Sequence, residues 1–361
     1  MMGHGHIWGW IAAIGLFSGG AGAISSPVPA SPLSLLSESD LDQALSVLGS
    51  LAIPTKETPT DDSRRVALGE LLKRLGPGSG IFSVPPGPQA AEKESAFPFV
   101  QELLPAGVGF IRPGKITPES LPQWRQSLRD FAQMGVTSLI LDLRASNGGG
   151  SVAVAAELSS LFVPENTPLF SVRDLESNQQ RSLLSKEAKP YAFSLLVLTT
   201  SQTGGAAEIV GAALRIHADA LVIGSQTKGQ AAEYAERPLS EGNFLRFPKA
   251  YAVFEALPDL FPKGLTPDLA IAVPESRTAE ILRVSSQGGK IADFLSQPER
   301  PRLNEAALVA GKNPETEQWI RDKLARSIPQ RPSIPRDAVL ERAMDFAAAQ
   351  RALNSPTPVS P

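Results

Sequence analysis

The stretch Leu195–Gln230, LLVLTTSQTGGAAEIVGAALRIHADALVIGSQTKGQ, decides how the chain is read. Leu195 to Thr200 is an unbroken apolar run ending in two threonines, the pattern of a strand buried on both faces. Gly204-Gly205 interrupts it, and from Ala206 to His217 apolar residues return at helical spacing. A second apolar run, Leu221 to Gly224, follows the helix and opens into the loop Ser225–Gln230. Strand, glycine turn, helix, strand is the repeating unit of an α/β fold. Such a turn often carries a nucleophile at the helix N-terminus, yet here the tip has no side chain.

The same alternation extends on both sides. Val108 to Ile111 reads as a short strand, and a helix follows with Thr117 at its N-cap and Pro118 in its first turn. The run VTSLILDLR (136–144) is a buried strand, followed by the turn Gly148-Gly149-Gly150 and a further helix. Asn243 to Phe254 is a strand pair or one long bent strand. Residues 96–275 are therefore expected to form the core. Ahead of it, Ser37–Ser50 places Leu41, Ala44, Leu45 and Leu48 on one helical face, and Asp61–Leu75 is a second helix stopped by Gly76-Pro77-Gly78. These define a small helical N-terminal region over 35–95. Residues 276–353 form a helical C-terminal extension, with Val339, Leu340, Ala343, Phe346, Ala347 and Leu353 spaced to dock one helix on the core. The Pro- and Ser-rich residues 354–361 are expected to be disordered.

Composition narrows the chemistry. The chain has 361 residues, enough for one or two domains, and a net charge of −3 with no basic run, which gives no support for a nucleic-acid partner. It has no cysteine, so thiol nucleophiles and Cys-ligated metal centres are excluded. Of its three histidines, His4 and His6 lie in the leader and only His217 in the body, so a histidine-rich metal site is excluded too. No cofactor is expected. Ile7 to Phe17 is apolar and Ala21-Gly22-Ala23 fits a cleavage site, so residues 1–23 read as a signal peptide and 24–34 as a linker. The protein is expected to be secreted or periplasmic, or else held by an N-terminal membrane anchor.

Four landmarks occur in order: GVGFIRPGKIT (107–117), LILDLRASNGGG (139–150), the opening stretch from Thr200 to Gln230, and KGLTPDLAI (263–271). Together they resemble the core of the carboxyl-terminal processing peptidases, or tail-specific proteases, over about residues 98–275. The resemblance implies a crotonase-like α/β fold and a Ser-Lys dyad. It also implies an oxyanion hole at the glycine turn after Asp142-Leu143-Arg144, here Gly148 and Gly149, with Gly204 beside them. Asp142 and Arg144 have a structural reading as well, as a buried ion pair or a cap for that turn. The PDZ module that the family commonly inserts before its core is not expected, since residues 35–95 are short, helical and without a carboxylate-binding glycine loop.

The resemblance implies a serine three residues before Glu208 and a lysine 25 residues beyond that serine. Glu208, Gly224, Thr227 and Gly229 are in register, but the nucleophile position is Gly205, the base position is Gln230, and Tyr234 stands where a glutamine is usual. Glycine has no hydroxyl and glutamine is no base. The reading is thus a catalytically impaired homologue, a pseudoenzyme that binds a peptide or protein C-terminal tail in the former cleft, with serine at 205 and lysine at 230 as the natural attempt at restoration. An alternative is an active peptidase using Thr203 and Lys228, which keep the 25-residue spacing, although Thr203 also suits a helix cap and Lys228 a solvated loop. A third is a structural or assembly protein, such as a homo-oligomer, on the same scaffold.

Overall fold

The computed structural model describes residues 36–49, 61–83, 97–239, 242–295 and 334–354. The leader (1–23), the linker (24–34) and residues 355–361 of the tail lie outside them. In chain order the helices are α1 (Glu38–Gly49), α2 (Asp61–Arg74), α3 (Leu121–Gln133), α4 (Val152–Ser160), α5 (Ala206–His217), the one-turn α6 (Leu260–Lys263), α7 (Glu275–Ser285) and α8 (Ala338–Asn354). The strands are β1 (Gly80–Ser83), β2 (Val100–Leu104), β3 (Val108–Arg112), β4 (Ser138–Asp142), β5 (Pro168–Asp174), β6 (Gln180–Leu184), β7 (Ser194–Thr199), β8 (Leu221–Gly224), β9 (Ala232–Pro238), β10 (Asn243–Val253) and β11 (Leu269–Ala270).

The runs read as doubly buried strands form the middle of a six-stranded sheet of order β11-β8-β7-β4-β3-β2. Pairing is parallel except between β2 and β3, as expected where helices connect successive strands. All five residues of β4 are buried, because this sheet is covered on both faces. On one face Leu139, Leu141 and Val197 pack with Trp124 and Phe131 of α3, Leu158 of α4 and Ile209 and Val210 of α5. On the other, Phe110, Ile140, Leu196, Leu198 and Ile223 pack with Val339, Leu340, Ala343 and Ala347 of α8, which docks on the core while Leu353 at its end, also expected to dock, stays exposed.

A second, antiparallel sheet is built on β10, an eleven-residue strand that bulges between Pro248 and Ala250. Asn243–Val253 is therefore the one long strand, not a pair. β9 lies along one edge of β10, while β1 and then β5 pair with the other, and β6 follows β5. Strand β1 sits in the region read from sequence as helical. Its Ile81 pairs opposite Leu245, and both bury against Leu41, Leu48, Leu68 and Leu72 of α1 and α2. The N-terminal helices thus cap the second sheet rather than hanging loosely beside it. The α-helix expected to start at Thr117 begins at Leu121, after a 3₁₀ turn (Pro118–Ser120) in which the Ser120 hydroxyl bonds back to the Thr117 carbonyl at 2.7 Å.

Candidate active site

Three segments meet at the C-terminal ends of β4 and β7: the glycine loop Ser146–Gly150 before α4, the turn Thr200–Gly205 before α5, and the loop Ser225–Ala231 joining β8 to β9. Gly205 is the pivot. Its φ of 62° and ψ of −131° suit glycine and strain any residue with a Cβ. The glycine loop lies against this turn as a short parallel strand, with a bridge between Asn147 and Gly204. Gly204 N–H donates to the Ser146 carbonyl and Ala206 N–H to the Gly149 carbonyl, each at 3.0 Å. A Cβ added at Gly205 would lie 2.8 Å from the Gly149 nitrogen and closer still to the Gly149 carbonyl oxygen. A side chain at 205 would therefore meet main chain.

Glu208 ties the third segment to the first turn of α5. It is fully buried, and one carboxylate oxygen accepts from Gly205 N–H at 3.2 Å and Gln230 N–H at 2.6 Å. The other accepts from Gly229 N–H at 2.6 Å and from the Thr227 hydroxyl. The sequence register Glu208, Thr227, Gly229 is therefore one physical object, a carboxylate clamping a loop onto a helix N-terminus. Burial pushes the Glu208 carboxyl above the ordinary carboxylate range, against the pull of its four donors. Glu208→Gln sets an amide NH₂ against two of those donors, and is expected to cost about 2 kcal/mol in urea unfolding. An unchanged unfolding midpoint and slope would show that the clamp carries no stability.

Gln230 does reach the cleft. Its Oε1 lies 3.5 Å from where a Cβ on Gly148 would be and 3.3 Å from where one on Gly204 would be. Gly148, Gly149, Gly204, Gly205 and Gln230 are thus brought together. Thr203 and Lys228 are near each other in main chain, with Lys228 N–H donating to the Thr203 carbonyl at 3.0 Å, but their side chains diverge. The buried Thr203 hydroxyl accepts from Thr200 N–H at 3.0 Å and donates to the Leu143 carbonyl at 3.1 Å. The Lys228 ammonium donates instead to the Asn147 carbonyl at 3.0 Å. Ser201 turns away to Glu275 on α7, and His217 bonds the Leu169 carbonyl at 2.8 Å from the far end of α5. Tyr234 does not block the cleft: its hydroxyl donates to the Pro77 carbonyl at 2.6 Å and its ring carries the Arg246 guanidinium at 4.6 Å. Burial pushes the Tyr234 hydroxyl well above its ordinary range.

Asp142 and Arg144 take the structural role. The Arg144 guanidinium is buried and bonds Asp142 at 2.8 and 2.9 Å, and Asp337, the residue before α8, at 2.9 and 2.7 Å. Nothing in the local sequence announces Asp337, which lies 193 residues from its partner. Burial works against the Arg144 charge, but the two carboxylates outweigh it and hold its pKa above the ordinary arginine value. No group of three or more His, Cys, Asp or Glu suited to a metal ion occurs among the described residues.

A doubly covered, mostly parallel sheet with a glycine loop packed on a strand-turn-helix is an α/β frame. Residues 107–271 match the model of peptidase family S41. Among curated relatives, a probable CtpA-like serine protease of Staphylococcus haemolyticus is 28% identical over 151 residues, covering 41% of this chain and 30% of the relative. The carboxy-terminal processing protease CtpB of Bacillus subtilis is 21% identical over 191 residues, covering 53% of this chain and 39% of the relative. Both matches span well under half of the relative's length. Of solved structures, a photosystem II D1 C-terminal processing protease is similar with a TM-score of 0.40 at 23% identity, over 46% of this chain and 44% of that one.

Proposed function

We propose that this protein binds an extended peptide, the C-terminal tail of a protein, at the former peptidase cleft and does not cleave it. The observation that carries the reading is the closed contact at Gly205. A hydroxyl is missing, its space is taken by the Gly149 peptide unit, and Ala206 N–H is spent on the Gly149 carbonyl. The base position, Gln230, cannot take a proton at ordinary pH. Loss of nucleophile and base together removes the attack and the proton transfer that acyl transfer by a side chain needs.

Binding is supported by the edge that starts beside the cleft. β9 begins at Ala232, two residues after Gln230, and among the described residues it pairs with β10 alone. Its other edge offers unpaired main-chain donors and acceptors to an added strand. The named relatives are processing proteases of protein C-termini, which favours a tail as the occupant.

The test uses the full chain, purified, with casein and with fluorescein-labelled peptides. Peptide retention without casein fragments is expected. Casein cleavage that disappears in Thr203→Ala would overturn the reading in favour of the alternative dyad.

A further inference from the structure

Lys228 stands at the mouth of this cleft with its charge answered by no carboxylate. Its ammonium makes a single hydrogen bond, to the neutral Asn147 carbonyl at 3.0 Å, and it forms no ion pair within 4.0 Å among the described residues. Arg144 and Arg246 are committed, the first to Asp142 and Asp337 and the second over the Tyr234 ring. The Lys228 stem is held over the glycine turn, with its Cδ 3.3 Å from where a Cβ on Gly204 would sit, and its main chain is tied to Thr203. The ammonium is therefore positioned rather than free to sweep solvent. Beside it, Asn147, Gly149 and Gly150 are exposed, and the Gly149 and Gly150 N–H groups meet no acceptor among the described residues.

We propose that Lys228, together with the Gly149 and Gly150 N–H groups, binds the terminal carboxylate of the tail that enters the cleft. A carboxylate gives the ammonium the attraction of an opposite charge, which the neutral carbonyl lacks. The exchange strands no buried group, because the Asn147 carbonyl it releases belongs to an exposed residue that water can serve. Exchange also removes a stitch between the glycine loop and the Ser225–Ala231 loop. Ligand entry and loosening of the loop are then one event. The residues preceding the carboxylate come to lie beside the free edge of β9. Lys228 becomes the residue that distinguishes a chain terminus from an internal segment.

This assignment rests on the peptide-binding reading, and one experiment separates the two. Fluorescein-labelled ten-residue peptides, randomised in their last four positions, are made as one pool with free carboxylates and a second with C-terminal carboxamides. Retention of each pool is measured on immobilised full chain, as wild type, Lys228→Met and Lys228→Arg, with circular dichroism confirming that each variant is folded. The wild type is expected to retain the carboxylate pool about tenfold better than the carboxamide pool, the worth of one charge-assisted hydrogen bond. Lys228→Met should lose that preference and Lys228→Arg keep most of it. Equal retention of both pools by the wild type, or a preference that survives in Lys228→Met, overturns the assignment and leaves peptide binding standing. Retention of neither pool overturns both.

Discussion

Gly205→Ser is expected to destabilise the protein by roughly 4 kcal/mol, from left-handed strain and overpacking in about equal parts. The backbone there has φ 62° and ψ −131°, and the new Cβ meets the Gly149 nitrogen at 2.8 Å with the Gly149 oxygen nearer still. Neither contact is the soft end of a side chain; both are main chain, held by the bonds from Gly204 and Ala206 to the loop. Adding Gln230→Lys to make the double variant should therefore yield no casein cleavage. The pair of substitutions restores the groups but not the room for them. Equilibrium urea unfolding of the single variant and a casein assay of the double variant decide the matter. A single variant as stable as the wild type, or a double variant that cleaves, would mean that the glycine loop yields easily.

Asp337→Asn is expected to cost about 4 kcal/mol, because it leaves the buried Arg144 guanidinium with one carboxylate instead of two. The double variant Arg144→Met/Asp337→Asn should lose less than the sum of the single variants, since no orphaned cation remains. Acid sensitivity follows from the same pair. Burial raises the Asp337 pKa, but the Arg144 guanidinium outweighs it and holds the carboxyl below its usual value of 3.8. A depressed folded pKa gives stability that is present above the unfolded value and is lost as pH falls through the folded one. The wild type should thus lose stability below about pH 4, and Asp337→Asn should lose less over the same range. Urea midpoints at pH 3 and pH 7 for both proteins test this; parallel losses would remove Asp337 from the account.

The sequence was most informative where periodicity and glycine coincide. Leu195–Thr199 and Ser138–Asp142 could be read as central strands because both their faces are buried, which leaves an apolar run with no interruption. Gly205, Glu208 and Gln230 could be placed because the resemblance sets their spacing and Gly224, Thr227 and Gly229 keep the register. The hairpin of β5 and β6 escaped notice for the opposite reason. β6 is an edge strand whose first three residues, Gln180, Arg181 and Ser182, are exposed, so it carries no hydrophobic signature. β1 was hidden in a Gly- and Pro-rich stretch and becomes a strand only through its partner β10. What stands against Gly205 was not legible: it depends on where Gly149 points, which no residue type records.

The Arg144–Asp337 pair also bears on how the chain reaches its fold. Every strand of the six-stranded sheet is complete by Ala270, yet the buried Arg144 at the end of its central strand gains its second carboxylate only from a residue next to α8. Until that helix arrives, one face of the sheet shows Ile140, Leu196 and Leu198 to water and Arg144 lacks one of its two counterions. The barrier to closing so long a loop falls late, and the reward comes all at once, as apolar cover and charge balance together. An early-made part of the molecule is finished by a later one, so the glycine loop that follows Arg144 is expected to take its settled position only once α8 has been made.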